Sequence, residues 1–203
     1  MTEAAINYQD ALFKSAHAAL TFAFNYSVDQ YDRPAMNKMA DGPHRQGKGL
    51  VGTDGAGQAG LIRRELKDLG GFHEAVLTAY YTHKTLPCGC DRACCCGHKP
   101  NPEWSEAIGI ITQAAQGMLA GKMTNYRLRR GIVVNAFSRK SEKEKLMDLA
   151  KHCCVDRDTA SEHNAILAEW LLGDKHGRPG EPVGEINKAI EAATKLMVKA
   201  GLI

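Results

Sequence analysis

Aromatic side chains are scarce in this chain, at 6% of 203 residues with only two tryptophans. Its core therefore has to come mainly from alanine and branched aliphatic residues, a composition that suits packed helices. No apolar run approaches the ~18 residues of a membrane-spanning helix. The first twenty residues carry Glu3 and Asp10 and lack the basic start and apolar stretch of a secretory signal. No membrane partner is expected, and the expected location is the cytoplasm, where thiols stay reduced. Also missing are the His-x-Glu and His-Glu-x-x-His spacings of zinc deaminases and metalloproteases. A zinc-dependent hydrolase or deaminase is thereby the weakest of three functional readings, and no catalytic residues are expected. What is present is an ordinary globular balance, 44% hydrophobic and 24% charged.

Net charge is only +3, yet it is unevenly spread. Residues 122–151 hold nine basic side chains against three acids, a local +6, which leaves the remainder at −3. A concentrated basic stretch suits a phosphate backbone or an acidic protein surface, and a solvated helix face is the plainer alternative.

Apolar spacing predicts a mainly α protein. Leu12, Ala16, Ala19, Leu20 and Ala23 mark a long first helix over residues 3–26. Seven glycines in residues 41–60 predict a loop. Leu61, Ile62, Leu66 and Leu69, then Phe72, Val76, Leu77, Tyr80 and Tyr81, mark a helix pair broken at Gly70-Gly71. Asn101-Pro102-Glu103 supplies a cap, a proline at the first helical position and an acid in the first turn, ahead of a stripe of Trp104, Ile108, Ile111, Ala115 and Met118. Another helix is expected from Thr124 to Phe137, and Ser141 to Glu144 has capping-box spacing for the next. Glycine and proline between 173 and 184 predict a loop before a last helix carrying Ile186, Ala189, Ile190, Ala193, Leu196 and Met197. No strand and no internal repeat is evident. Three segments are expected: residues 1–56, a first helix and glycine-rich loop; 57–121, helices flanking a cysteine loop at 84–100; and 122–203, a basic helix, a helical hairpin and a final helix.

Five of the seven cysteines fall within the stretch Cys88-Gly-Cys90-Asp-Arg-Ala-Cys94-Cys95-Cys96-Gly-His98. So many soft ligands together indicate metal chelation rather than a disulfide framework. Four tetrahedral thiolate or imidazole ligands suit zinc, and glycines let the backbone turn around the ion. The expected cofactor is Zn2+ in a closed structural site, with Cys88, Cys90, Cys94 and Cys95 as ligands and Cys96, His98 and His83 as substitutes. Reduced surface thiols and an iron–sulfur cluster are the alternatives. Such a zinc site can contribute about 10 kcal/mol of folding free energy in zinc-finger peptides.

Residues 146–160 have the layout of a helix-turn-helix. Ala150 is the small residue at the helix crossing, Cys154 takes the turn position usual for glycine, Val155 points inward, Asp156 caps the second helix, and Ala160, Ile166 and Leu167 pack back. His163 stands where an aliphatic side chain is usual. Base edges would be met by Arg157, Thr159, Ser161, Glu162 and Asn164 at the start of the second helix. With Asp156, Asp158 and Glu162 there, phosphate contacts fall to Arg127, Arg129, Arg130, Arg139, Lys140, Lys143, Lys145 and Lys151. An ordinary or protein-docking helical hairpin is the alternative.

Other patterns carry less. Gly55-Ala-Gly57-Gln-Ala-Gly60 has dinucleotide-loop spacing but no strand before it, and Gly47-Lys48-Gly49 lacks the hydroxyl residue of a phosphate-binding loop. His152 and Cys153 are helix neighbours whose side chains diverge. Trp104 and Trp170 are expected as core anchors.

The order of Tyr80-Tyr81, Cys88-Gly-Cys90, Asn101-Pro-Glu-Trp104, Leu149-Ala-Lys-His-Cys-Cys-Val155 and Ala192-Ala-Thr-Lys-Leu-Met-Val198 resembles the phage late-gene antitermination proteins, the Q group, over residues 57–203. The resemblance implies a bacterial host, binding to a double-stranded DNA element near a late promoter, loading onto RNA polymerase holoenzyme, and narrowing of the RNA exit channel, with nascent RNA as a further partner. The cysteine pattern differs from the paired Cys-x-x-Cys knuckles of some members. A non-enzymatic, zinc-containing antitermination factor is thus the expectation, and a zinc-containing helix-turn-helix repressor or activator the runner-up.

Overall fold

Buried positions recur three or four residues apart through most of the chain, and the secondary structure follows that period. The computed structural model describes residues 12–26, 52–90, 96–122, 125–173 and 184–203. Among them are eight α-helices: α1 (Ala16–Asn25), α2 (Gly52–Leu66), α3 (Gly71–Tyr81), α4 (Pro102–Met118), α5 (Tyr126–Phe137), α6 (Leu146–His152), α7 (Arg157–Leu172) and α8 (Glu185–Lys199). The protein is mainly helical, as its sequence leads one to expect. Two short antiparallel strands, β1 (Thr85–Pro87) and β2 (His98–Pro100), pair with Leu86 opposite Lys99. They were not visible in the sequence, because three residues ending in a proline offer no alternation to read.

Contacts divide the chain into two compact units, Met1–Leu69 with Ile190–Ile203, and Gly70–Ala189. The expected boundary between residues 121 and 122 falls inside the second.

In the first unit α1 begins later than the spacing suggested. The chain is not helical at residues 12–15, where Ser15 caps the helix by accepting a hydrogen bond from the Ala18 amide at 3.2 Å; residues 3–11 of the expected helix lie outside the described residues. The buried face of α1 is Ala16, Ala19, Leu20, Ala23 and Phe24. Arg63 of α2 closes its end, with Nε donating to the Ala23 carbonyl at 3.0 Å and the guanidinium 5.1 Å from the Phe24 ring centroid. Of the expected glycine-rich loop, residues 41–51 lie outside the described residues, and Gly52 onward is a helix. Each glycine weakens a helix by about 1 kcal/mol, but Gly55, Ala59, Ile62 and Leu66 form one buried stripe, and tertiary burial outweighs propensity.

In the second unit α3 and α4 pack together, and the ribbon connects them. Asn101 fixes their junction. Its Oδ1 accepts from the Glu103 amide at 3.1 Å, its Nδ2 donates to the His83 carbonyl at 2.8 Å, and its amide donates to the Lys84 carbonyl at 3.0 Å. The Trp104 indole donates to the Ala79 carbonyl at 3.2 Å, so that tryptophan is the expected core anchor. Met118, expected in the buried stripe, is 44% exposed; Leu119 turns inward in its place.

Helix α5 packs on α4, α6 and α7. Asn125 caps it, accepting from the Arg127 and Leu128 amides at 2.9 and 3.2 Å. A Cβ built on Gly131 would lie 2.4 Å from Leu149 Cδ1, so α5 and α6 approach closely there and a larger residue would displace the Leu149 side chain. The capping box expected at Ser141 to Glu144 is not used. A 3-10 turn covers Lys140–Glu142, and α6 starts at Leu146 without a side-chain cap. Glu144 is instead engaged by Asn135 and His152. Trp170 is half-buried and stacks on Phe72 with centroids 5.6 Å apart. Residues 174–183 of the expected loop lie outside the described residues.

Candidate metal loop and nucleic-acid interface

The ribbon brings the two ends of the cysteine segment together. The Cys88 amide donates to the Gly97 carbonyl at 2.8 Å, just beyond the Pro87 to His98 pair. Cys88 is half-buried, while Cys90, Cys96, His98 and His83 are exposed. Cys94 and Cys95 lie outside the described residues, and among the described residues no three His, Cys, Asp or Glu side chains converge as a metal cage. His98 shows one feature relevant to metal chemistry. Its Nδ1 lies 3.1 Å from the Cys96 carbonyl oxygen, which can only accept, so in the neutral ring this contact selects the Nδ1–H tautomer and leaves Nε2 as the nitrogen able to bind a metal.

The α6–α7 connection is tight. The Cys153, Cys154 and Val155 amides return to the Leu149, Lys151 and Ala150 carbonyls at 3.0, 3.1 and 3.0 Å. Cys154 has φ +54°, alone among the described non-glycine residues in the left-handed region. Asp156 then caps α7, accepting from the Asp158 amide at 2.9 Å. Leu149 and Ala150 of α6 are buried, as are Ala160, His163, Leu167 and Leu171 of α7; Val155 and Ile166 are half-buried. Asn125 Nδ2 donates to the Cys153 carbonyl at 3.1 Å, tying the start of α5 to this turn. Burial pushes the Cys153 thiol up, reinforced by Glu144 and opposed by Arg127. It is accordingly a core thiol rather than a nucleophile.

The basic residues separate into different environments. Arg127, Arg139, Lys140, Lys143, Lys145, Lys151 and Arg157 are exposed, as is Ser161, while Arg130, Thr159 and Asn164 are half-buried. Arg129 is 5% exposed, donates from Nε to the Thr112 carbonyl at 2.8 Å, and lies 5.6 Å from the Tyr126 ring centroid. It belongs to the α4–α5 packing, and its guanidinium does not join the exposed cations. Spacing alone could not separate it from Arg127 and Arg130, since a basic residue every one or two positions has no helical phase. Lys122 forms an ion pair with Glu162, which holds that carboxyl below the usual carboxylate range. Two asparagines that composition does not single out, Asn125 and Asn135, make the hydrogen bonds that shape this region. Asn125 could have been found as a cap residue ahead of Tyr126, whereas nothing in sequence joins Asn135 to Glu144.

Comparison with protein-family models, with curated proteins and with solved structures gave no match.

Two outcomes follow from the α6–α7 geometry. Cys154→Gly removes the side-chain penalty of the left-handed conformation, about 1 kcal/mol; urea unfolding should show a gain of that order, and a loss would mean that the turn is not left-handed. His163 is buried, and desolvation holds its imidazole below its ordinary value, with Lys122 acting in the same sense and Glu162 opposing. The unfolded chain therefore takes up a proton first, so the stability present above pH ~6.5 declines as pH falls below it. Thermal melts between pH 8 and 5 should show that decline, and His163→Leu should flatten it.

Proposed function

We propose that this protein is a phage-type transcription antitermination factor that meets double-stranded DNA through α6 and α7, holds Zn2+ in its cysteine loop, and acts on bacterial RNA polymerase holoenzyme to promote terminator read-through, with nascent RNA as a further partner. The left-handed turn at Cys154 carries the DNA-binding part. A residue with positive φ between a short helix and a capped longer one, both packed on a third helix, is the geometry by which a helix-turn-helix presents its second helix to the major groove. Arg157, Thr159, Ser161 and Asn164 are then the candidates for base edges, and Arg127, Arg130, Arg139, Lys140 and Lys143 for phosphates. The polymerase part rests on the order of motifs that resembles the Q group.

For the metal, the donor set is soft and the ribbon closes the loop that carries it. Cys88, Cys90, Cys94 and Cys95 remain the proposed ligands, and the exposed Nε2 side of His98 makes that residue the strongest substitute. A zinc ion bound there would supply structural cross-linking of the loop and no reaction chemistry.

Purified protein should contain zinc by elemental analysis and melt at lower temperature in chelator. Absence of bound metal together with chelator-insensitive melting sinks the zinc site. The function is tested by retention on RNA polymerase holoenzyme and by transcription across a terminator. Increased read-through is expected, whereas duplex binding with reduced initiation and no polymerase retention would replace antitermination by operator repression.

A further inference from the structure

Helix α7 is a poor source of affinity for a polyanion. Its cap and first two turns hold Asp156, Asp158 and Glu162 against Arg157, and Glu162 is itself neutralised by Lys122. If this hairpin meets DNA, the charge that draws it there sits elsewhere, and the connection between α5 and α6 supplies it. Arg139, Lys140, Lys143 and Lys145 are all exposed, and none of them joins an ion pair among the described residues.

This connection is also held in shape. Asn135, near the end of α5, grips it with both ends of its amide: Nδ2 donates to the Glu144 carbonyl at 2.8 Å and Oδ1 accepts from the Glu144 amide at 3.0 Å. The Glu144 carboxylate is taken up by His152 Nδ1 at 2.7 Å, leaving Glu142 as the acid not so engaged among these lysines. Between Asn135 and Glu144 the chain makes a 3-10 turn, with the Glu142 amide donating to the Arg139 carbonyl at 2.9 Å. Long cationic side chains lose entropy when they bind, and a backbone already ordered reduces that cost.

We infer that the α5–α6 connection is the phosphate-backbone anchor of the interface, with Asn135 as the positioning residue that shapes it, while α7 reads bases and contributes little attraction. This rests on the duplex-DNA reading proposed above. It divides the interface into an anchor that is indifferent to sequence and a reader that is nearly neutral, so non-specific binding should belong to the anchor.

The test is equilibrium binding of the full chain to a fluorescent mixed-sequence DNA duplex over a series of salt concentrations. Each phosphate contact contributes about 0.9 to the slope of log K against log salt. Combined Lys140→Ala, Lys143→Ala and Lys145→Ala should lower low-salt affinity at least ~10-fold and flatten the slope by roughly 2–3, whereas Arg157→Ala should flatten it by no more than about 1. Asn135→Ala keeps every charge, so it should weaken binding about 3- to 10-fold with an unaltered slope, measured where circular dichroism shows the variant fully folded. An unchanged slope in the lysine variant, with the parent protein binding normally, overturns the anchor alone. Parent-like affinity in Asn135→Ala overturns its positioning role. A parent protein that fails to bind duplex even at low salt removes the DNA reading underneath.

Discussion

A buried guanidinium sets the geometry of the second unit. Arg129 lies within the α4–α5 packing, with its Nε on the Thr112 carbonyl and its charge facing the Tyr126 ring. A charge taken out of water is tolerated only where hydrogen bonds and polarisable groups replace its hydration, and that requirement acts with the buried Leu128, Ile132 and Val133 to turn this face of α5 inward. The other contacts of α5 are compatible with this orientation. Gly131 faces Leu149 and lets α6 come close, Asn125 reaches the Cys153 carbonyl, and Asn135 reaches Glu144. One helix thus holds the turn before α7 through its cap residue and the chain ahead of α6 from its last turn.

If the proposed duplex interface holds, the contrast between the cationic α5–α6 connection and the capped α7 is a division of labour with a physical basis. Electrostatic attraction falls off over about 10 Å in salt and does not distinguish base pairs, whereas hydrogen bonds at base edges act only at contact. Cations on an ordered connection and polar residues on a capped helix are suited to those two ranges. On that same proposal the Lys122 to Glu162 pair works in the same direction, because it offsets the charge of a carboxylate that would repel a phosphate backbone.

Parts of this arrangement were legible in the sequence because a local rule governed them. Asn101-Pro102-Glu103 starts a helix for reasons contained in three residues, and Cys154 is recognisable as the turn residue from its distance to Ala150 and Asp156. Where long-range contacts decided, the sequence misled. Gly52 to Gly60 has loop composition yet forms a helix, since Gly55 and Ala59 are small on a buried stripe. Ser141 and Glu144 have the right spacing for a cap, yet Glu144 is bound by Asn135, nine residues away. Among the expected phosphate contacts, Arg129 differs from its neighbours only through the Thr112 carbonyl, which no spacing foretells. Of the expected zinc ligands, Cys88 and Cys90 adjoin the end of the ribbon, while Cys94 and Cys95 lie outside the described residues.

The meeting of Gly173 with Gly184 has a consequence for how the chain tolerates change. A side-chain carbon placed on Gly184 would come within 2.3 Å of both the Gly173 nitrogen and the Leu172 carbonyl carbon, so the main chain passes itself there at contact distance. The end of α7 and the residue before α8 therefore meet at a single point. Closure of a path joining two such ends depends only logarithmically on the number of residues in it. By that relation, doubling the number of residues that join these two ends changes the cost of closing them by only about 0.6 kcal/mol.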